Sequence, residues 1–275
     1  MNRIELCDMS SCTQCRACEN ICPKHCISME AGAGGFSIPK IDRNVCVECG
    51  ACMNSCHKIN PEFEYRLPQK TLACWTRRKH DRRNSSSGGA FSVLARKIIR
   101  DGGVVFGATM TPELTVKHIG IEKEEDIIRL QGSKYVQSDM GAVHKEVKGM
   151  LASGRKVLFT GTPCQVASLY SYLNGIPENL YTGDIVCHGV PSQKSFDTYI
   201  DRIGLKGKCR NFSFRFTEGW GYSLSRQTTA PTDSRASKKT VISPSKSYYL
   251  KAFTKGLMFD EACYTCPYAR SGRIS

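Results

Sequence analysis

Apolar positions in the larger part of the chain recur with the two periods that distinguish helices from strands. The segment 89–100 predicts a helix, because its apolar residues fall on one face: Phe91, Leu94, Ala95, Ile98 and Ile99. Gly102 and Gly103 end this helix. Further helices are predicted over 143–152, 165–173 and 193–203, and short apolar runs predict strands over 71–75, 104–110, 114–121, 156–160 and 181–186. This alternation predicts an α/β region with a largely parallel sheet.

The first 66 residues follow a different pattern, because cysteine sets the period there. A run of four cysteines recurs 34 residues later: Cys12, Cys15, Cys18 and Cys22 are followed by Cys46, Cys49, Cys52 and Cys56. A turn over 31–35 and a strand over 36–41 are predicted between the two copies. A linker with Pro61 and Pro68 follows. We therefore predict two domains, residues 1–66 and residues 67–275.

The cysteine content narrows the class of protein. Sixteen cysteines in 275 residues are unusually many, and their tight repeated spacing is unlike that of a disulfide framework. Residues 1–8 have no apolar core of the kind that a secretory signal needs. No apolar run approaches the ~20 residues of a membrane-spanning helix. We therefore expect a cytoplasmic protein with reduced thiols and no membrane span.

The charge of the chain is unevenly distributed. The net charge is +14, but residues 1–66 carry seven Lys and Arg against eight Asp and Glu, so the remainder carries +15. Such a basic region suits an acidic protein partner or an anionic ligand. No nucleic-acid motif accompanies the charge, so nucleic acid is not expected. The segment 223–247 is rich in Ser, Thr, Lys and Arg and is expected to be flexible.

The spacing of the two cysteine runs is typical of proteins that bind two 4Fe–4S clusters. Three closely spaced cysteines hold one cluster, and the fourth cysteine of each run reaches the other cluster. The predicted ligand sets are therefore Cys12, Cys15, Cys18 and Cys56 for one cluster, and Cys46, Cys49, Cys52 and Cys22 for the other. A pair of zinc sites is the alternative, but zinc usually takes two separated pairs of ligands. Residues 1–66 are thus predicted to form a small ferredoxin-like α+β domain.

The two runs differ in the residue that follows the fourth cysteine. Pro23 completes the usual Cys-Pro pair in the first run, whereas His57 takes this place in the second. The cluster near His57 is therefore expected to differ in hydrogen bonding and potential. Four further cysteines have no role assigned by the pattern, and the first two are interpreted as bystanders: Cys7, Cys26, Cys74 and Cys209.

Five motifs beyond residue 66 resemble, in the same order, the beta subunit family of coenzyme F420 hydrogenases and dehydrogenases. They are Ser85-Ser86-Ser87-Gly88-Gly89, Gly132-Ser133-Lys134-Tyr135-Val136-Gln137-Ser138, Gly161-Thr162-Pro163-Cys164-Gln165, Asp184-x-x-Cys187-His188-Gly189-Val190-Pro191-Ser192 and Cys263-x-x-Cys266-x-Tyr268-Ala269. The resemblance covers essentially the whole chain. Characterised relatives carry FAD and a 4Fe–4S cluster and exchange electrons with a deazaflavin. Residues 67–275 are accordingly expected to form a flavin-binding α/β domain that is incomplete at its C terminus.

Two of these motifs are candidates for holding the flavin. Ser87, Gly88 and Gly89 precede a predicted helix, where free backbone N–H groups and small residues favour a phosphate. The second motif adds polar candidates, with Lys134 as the expected anion partner: Gly132, Ser133, Lys134, Tyr135 and Ser138. The alternatives are an ordinary helix cap and a surface turn. The basic run 77–83 is interpreted as a solvated loop or as a second place for an anionic group.

Four cysteines of the larger region are candidates for a third cluster. Cys164 and Cys187 each follow a predicted strand, so both are expected at the carboxyl edge of a parallel sheet. Cys263 and Cys266 supply a pair of thiols from elsewhere in the chain. The alternative is four buried free thiols, which are common in proteins.

Together these patterns predict an iron–sulfur flavoprotein oxidoreductase. A flavin exchanges one or two electrons, so it joins cluster chemistry to hydride chemistry. No catalytic side chain is assigned, and His188 is interpreted as structural. A ferredoxin or another redox protein is the expected partner, and a deazaflavin of the coenzyme F420 type is the candidate substrate. The alternatives are a non-catalytic ferredoxin-type carrier and a redox-sensing cluster protein without flavin.

Overall fold

The structure is a computed structural model that describes residues 4–215, 224–229 and 237–269. It has a mixed α/β fold with three small sheets. The helices are α1 (Ala17–Ile21), α2 (Ala51–Asn54), α3 (Lys79–Arg83), α4 (Ala90–Arg100), α5 (Ile127–Leu130), α6 (Val143–Ala152), α7 (Pro163–Leu173), α8 (Gln193–Arg202), α9 (Tyr248–Thr254) and α10 (Glu261–Tyr264). The strands are β1 (Ile27–Ala31), β2 (Ser37–Ile41), β3 (Val104–Met110), β4 (Val116–Ile121), β5 (Val157–Gly161), β6 (Leu180–Asp184), β7 (Cys209–Ser213), β8 (Leu224–Thr229) and β9 (Ser237–Ile242).

The cysteine-rich region, residues 4–66, preserves the sequence repeat in its backbone. Gln14 and Glu48 are 34 positions apart and both have a positive φ, of 55° and 52°. Arg16 and Gly50 repeat this at 62° and 74°, each one residue before a short helix, α1 or α2. Left-handed residues bend a chain sharply. The chain therefore turns sharply within each cysteine run. The antiparallel strands β1 and β2 connect the two runs.

The central sheet has the order β4-β3-β5-β6 and carries helices on both faces. β3, β5 and β6 run parallel, and β4 is antiparallel to β3. Side chains alternate across β3, as strand geometry requires. Val104 and Phe106 pack with α6 and α7 in one core, and Val105 packs with α4 and α5 in another.

A third layer is built from β7, β8 and β9 together with α8 and α9. The three strands form an antiparallel sheet in chain order. Its core is aromatic, with buried rings from α8, β7, the following residue 214 and α9: Phe196, Tyr199, Phe212, Phe214 and Tyr249.

Two expectations need correction. Residues 71–75 form no strand, and they run in irregular conformation past the α4 start, where Thr76 N donates to Gly88 O. Within the segment 223–247, which was expected to be flexible, residues 224–229 and 237–242 form strands, because β8 pairs with β7 and β9 pairs with β8; residues 223 and 230–236 lie outside the described residues. The central sheet is largely parallel, as predicted, and β4 alone among its described strands returns as an antiparallel hairpin after β3. No helix in the described ranges has the length and apolar character to cross a membrane.

Candidate iron–sulfur sites

Two cavities in the cysteine-rich region each have four of the predicted ligands in their walls. The inner cavity is lined by Cys12, Cys15, Cys18 and Cys56. The outer cavity is lined by Cys22, Cys46, Cys49 and Cys52. The structure thus brings together the two sets in which the fourth cysteine of each run joins the other run. Aliphatic side chains of Ile4, Ile27 and Ile41 complete the outer wall, which gives the thiols an apolar surrounding.

Each cavity also holds a fifth cysteine that the sequence pattern left unassigned. In the outer cavity, Cys26 Sγ lies 3.3 Å from Cys22 Sγ, and its backbone N–H donates to that sulfur over 3.4 Å. In the inner cavity, a hydrogen bond from Cys7 lowers the pKa of Cys56 to about 6, and backbone N–H groups contribute. Spacing alone did not indicate these contacts, because Cys7 and Cys26 lie outside both runs.

The inner cavity faces the α/β region. Asn20 Nδ2 donates to Gly141 O over 2.8 Å, and Gln137 Nε2 donates to Thr13 O over 3.1 Å. Cys15 is half-buried and forms a hydrogen bond with Ser168 of α7, and desolvation raises its pKa to about 12. The outer cavity lies at the other end of the repeat, where Cys49 is exposed.

His57, the residue that replaces proline in the second run, is buried at the wall of the inner cavity. It is 3% exposed. Its Nε2 lies 2.9 Å from Thr13 Oγ1, and its Nδ1 lies 2.5 Å from the hydroxyl of Tyr268. Pro23, its counterpart, lines the outer cavity. The two cluster sites therefore have different polar surroundings.

A third group of thiols lies at the carboxyl edge of the central sheet. We name Cys164, Cys187, Cys263 and Cys266 the four-thiol group. Cys164 follows β5 in the first turn of α7, and Cys187 follows β6. Residues 259–260 pair with residues 190–191, which carries α10 and Cys263 to the same place. Burial raises the pKa of Cys164 well above its usual range, and nearby Cys187, Cys263 and Cys266 raise it further. The structure therefore gathers all four predicted residues.

A buried polar network fixes the turn that carries Cys164. His118 of β4 donates from Nε2 to Thr160 O over 3.1 Å and so accepts from the Ser138 hydroxyl at Nδ1 over 2.8 Å. Ser138 Oγ in turn accepts from Gln165 Nε2 over 2.9 Å. Gln165 Oε1 closes a capping box by accepting from Thr162 N. Ser138 and Gln165 thus hold the start of α7.

The predicted flavin segments lie side by side. Ser133 N donates to Ser86 Oγ over 2.8 Å, and both Ser87 and Gly132 are exposed. The structure also explains, without a ligand, why glycine is present at positions 88 and 89. A Cβ at Gly88 would lie 2.2 Å from Cys74 O, and Gly89 has a φ of +85°. α4 begins at the next residue, with no side chain capping its N-terminus.

The remaining flavin candidates already have partners within the protein. Lys134 Nζ donates to the carbonyls of Leu130 and Gln131 over 3.0 and 2.8 Å, so it caps the end of α5 instead of facing an outside anion. The Tyr135 ring stacks on Phe253 with centroids 4.3 Å apart. Ser138 belongs to the buried network with His118.

The basic run 77–83 is anchored by a buried carboxylate. Asp81, in α3, is 4% exposed and accepts from Arg96 Nη2 of α4. Arg77, Lys79 and Arg83 are exposed around it. The run is therefore a short ordered helix with a basic outer surface, whereas the sequence predicted a loop.

In the described ranges, no three His, Cys, Asp or Glu side chains are arranged to hold a single metal ion. The thiols of the inner and outer cavities are instead spread around the cavity walls.

Two regions of the chain match models of known protein families. Residues 11–59 match the 4Fe-4S dicluster domain, which makes this an iron–sulfur electron-transfer protein. Residues 154–273 match the C terminus of the coenzyme F420 hydrogenase/dehydrogenase beta subunit, so the predicted relationship to that family is confirmed and indicates an oxidoreductase role. A structure of the F420-reducing [NiFe] hydrogenase complex from Methanosarcina barkeri is similar to this chain. The match covers 75% of this chain and 68% of that chain, with 18% identity and a TM-score of 0.49. No curated protein matches the chain.

Proposed function

We propose that the protein is an iron–sulfur flavoprotein oxidoreductase that passes electrons between 4Fe–4S clusters and FAD. The observation that carries the proposal is the grouping of eight thiols around two cavities in crossed sets. A 4Fe–4S cluster takes four thiolates that wrap a cube, whereas zinc draws its ligands to one point. Thiols spread over a cavity wall suit the cluster.

The residues of the cysteine-rich region fit this role. Cys12, Cys15, Cys18 and Cys56 bind the inner cluster, and Cys22, Cys46, Cys49 and Cys52 bind the outer one. When bound, the clusters supply one-electron chemistry. Ile4, Ile27 and Ile41 exclude water from the outer thiols, whereas exposed Cys49 marks the side on which a ferredoxin or another redox protein docks.

The four-thiol group binds a third 4Fe–4S cluster in this proposal. Its support is the convergence of two strand ends and α10 on one place, together with the network that fixes Cys164. The sulfur atoms of four such residues are the donor set that a 4Fe–4S cluster takes.

The flavin is proposed to bind at the paired segments Ser87–Gly89 and Gly132–Ser133. The start of α4 has no side-chain cap and so suits a phosphate of FAD, since helix N-termini favour anions. Lys134, Tyr135 and Ser138 do not fit direct contact, because protein groups already occupy them. Their part is to hold the segment in place.

A deazaflavin of the coenzyme F420 type is the proposed substrate. Its support is the family relationship and the basic α/β region, which carries +15 beyond residue 66. The alternative function is a non-catalytic electron carrier without flavin. Gly88 and Gly89 are compatible with this alternative, because backbone packing accounts for both glycines without a ligand.

Cofactor analysis of the anaerobically purified full chain tests the proposal. Two clusters require about eight iron and eight sulfide ions, and a third raises both to about twelve. Released FAD supports the flavoprotein. Bound zinc with little iron would refute the clusters, and full iron without FAD, bound or added, would favour the carrier. The Cys74→Ser variant is the control for the loss of a thiol that is not a proposed ligand, because Cys74 is exposed and lines neither cavity.

A further inference from the structure

We propose that the buried pair His57 and Tyr268 forms the electron-transfer bridge between the inner cavity and the four-thiol group. This inference rests on the proposed function, because it needs a cluster at each end. It gives a role to the position at which the second cysteine run departs from the first.

One end of the bridge belongs to the inner cavity. His57 directly follows Cys56 and lines the cavity wall. Its second nitrogen contacts Thr13 Oγ1, and Thr13 lies between Cys12 and Cys15 in sequence. A proline at this position, as at Pro23, offers no such hydrogen bond.

The other end belongs to the four-thiol group. Tyr268 lies two residues after Cys266, is 4% exposed, and packs in the core against which Cys164 and Cys266 are also packed. Its hydroxyl contacts His57 Nδ1 over 2.5 Å. A single hydrogen bond therefore joins a residue next to one ligand set to a residue next to the other.

The surroundings of the pair keep water away. Phe63 and Tyr65 stand beside the Tyr268 ring, with centroids 5.7 and 6.3 Å distant. Dense packing leaves few gaps on the route. A second link, from Gln14 to Asp260, also spans the two regions, so it is the rival route.

The step moves one electron and no atoms. His57 and Tyr268 carry it from the reduced cluster held by the inner thiols to the oxidised cluster held by the four-thiol group. No bond forms or breaks, and the hydrogen-bonding proton stays between the two side chains.

Rapid freeze-quench electron paramagnetic resonance on the iron-loaded full chain tests the bridge. After dithionite reduction begins, the signal of the third cluster should appear about tenfold more slowly in Tyr268→Phe and His57→Gln than in wild type, an increase of about 1.4 kcal/mol in the barrier. Iron content should stay unchanged in both variants, and the cluster midpoint potentials should stay unchanged in Tyr268→Phe, which leaves the residues that line the inner cavity intact. Tyr65→Phe, which alters a neighbouring ring whose hydroxyl bonds Pro267 O, is the matched control and should keep the wild-type rate.

The outcomes separate the bridge from the function on which it rests. About twelve irons per wild-type chain, with wild-type transfer rates in both bridge variants, would overturn the bridge alone. A Gln14→Met variant as slow as Tyr268→Phe would also overturn it, in favour of the rival route. Only eight irons in wild type would reject the third cluster and the bridge with it.

Discussion

Each cavity of the cysteine-rich region holds five cysteines, although a 4Fe–4S cluster takes four ligands. The backbone separates the extra residue from the ligands. Cys22 directly follows α1 and Cys52 lies in α2, the two short helices of the cysteine runs, whereas Cys26 directly precedes β1. Cys26 touches Cys22 and is held there by its own N–H group. A cysteine in contact with a ligand therefore need not be a ligand.

Two buried cysteines line the outer cavity, but only one is a proposed ligand, so their substitution should change the iron content differently. Cys52→Ser removes a ligand and should lower iron by about four per chain, whereas Cys26→Ser should keep all of it. Both residues are 7% exposed, so burial is matched. Iron and sulfide assays on anaerobically reconstituted full chain make the comparison. Equal losses in the two variants would show that Cys26 is a ligand.

A second residue-scale prediction concerns His118, which is neutral in its network. Burial lowers its pKa to about 4, and nearby Lys134 lowers it while Thr160 O and Asp139 oppose the shift. The unfolded chain, with a pKa near 6.5, binds this proton more readily, so stability is lost as pH falls from about 6.5 to about 4. Between pH 7 and pH 5 the loss from His118 should be about 2 kcal/mol.

Thermal unfolding of the anaerobic protein at pH 7 and pH 5 measures this effect. His118→Gln keeps a donor for Thr160 O and cannot titrate in this range, so its midpoint should fall less on acidification. Buried His57 and His144 are present in both proteins and cancel in the comparison. An equal fall in the variant and in wild type would assign the pH dependence to other groups.

At the scale of elements, the basic run depends on one buried ion pair. Asp81 of α3 accepts from Arg96 of α4 at 2.9 and 3.2 Å, and Arg96 also pairs with Glu124. Removing one partner of a buried pair leaves an uncompensated charge, which is more costly than losing an exposed pair. The pair therefore fixes α3 against α4 and so orients the outer basic surface.

Asp81→Ala should lower the free energy of unfolding by about 2–4 kcal/mol, with the lower end favoured because Glu124 still contacts Arg96. The control is Asp126→Ala, which removes a more exposed pair with Arg129 at 3.2 Å and should cost less than about 1 kcal/mol. Denaturant unfolding of the two variants under identical anaerobic conditions compares them. A difference below the experimental error would show that Asp81 is not the anchor of the run.

The elements that the sequence predicted well are those with an internal period. Helix α4 and strands β3 and β5 lie within one or two residues of their predictions, because each buries a regular apolar face. The grouping of the cysteines around the two cavities was also predictable, because in this spacing the fourth cysteine of each run reaches the other run. The role of Ser138 in holding Cys164 depends on its contact with Gln165 in a different segment, which no local pattern records. Lys134 caps carbonyls three and four residues before it, a local contact that was not predicted because the charge was assigned to an anionic ligand. The helix α3 was missed because its five residues include no apolar side chain and its one buried residue is Asp81.

At the scale of the whole molecule, the cysteine-rich region is seated closely on the α/β region. Ser192 Oγ donates to Gly34 O over 2.6 Å, and a Cβ at Gly35 would lie 2.3 Å from Lys194 Cβ. The contact between His57 and Tyr268 places the inner cavity on the side of the four-thiol group, and the near-neutral residues 1–66 adjoin a basic α/β region. This arrangement suits a chain that receives electrons at one end and meets an anionic partner at the other.

The last prediction concerns that anionic partner. In anaerobic assays with dithionite-reduced ferredoxin, Arg77→Glu/Lys79→Glu/Arg83→Glu should slow deazaflavin reduction several-fold at low salt. The triple variant reverses the charge of three exposed residues in the run. The rates should converge as salt rises, because the Debye length falls to about 10 Å at 0.1 M ionic strength. The control, Lys145→Glu/Lys206→Glu/Lys208→Glu, makes the same change in net charge at other exposed positions. Equal slowing in both would assign steering to net charge and not to the run, whereas no bleaching in wild type at low salt would exclude the deazaflavin and leave iron–sulfur electron transfer intact.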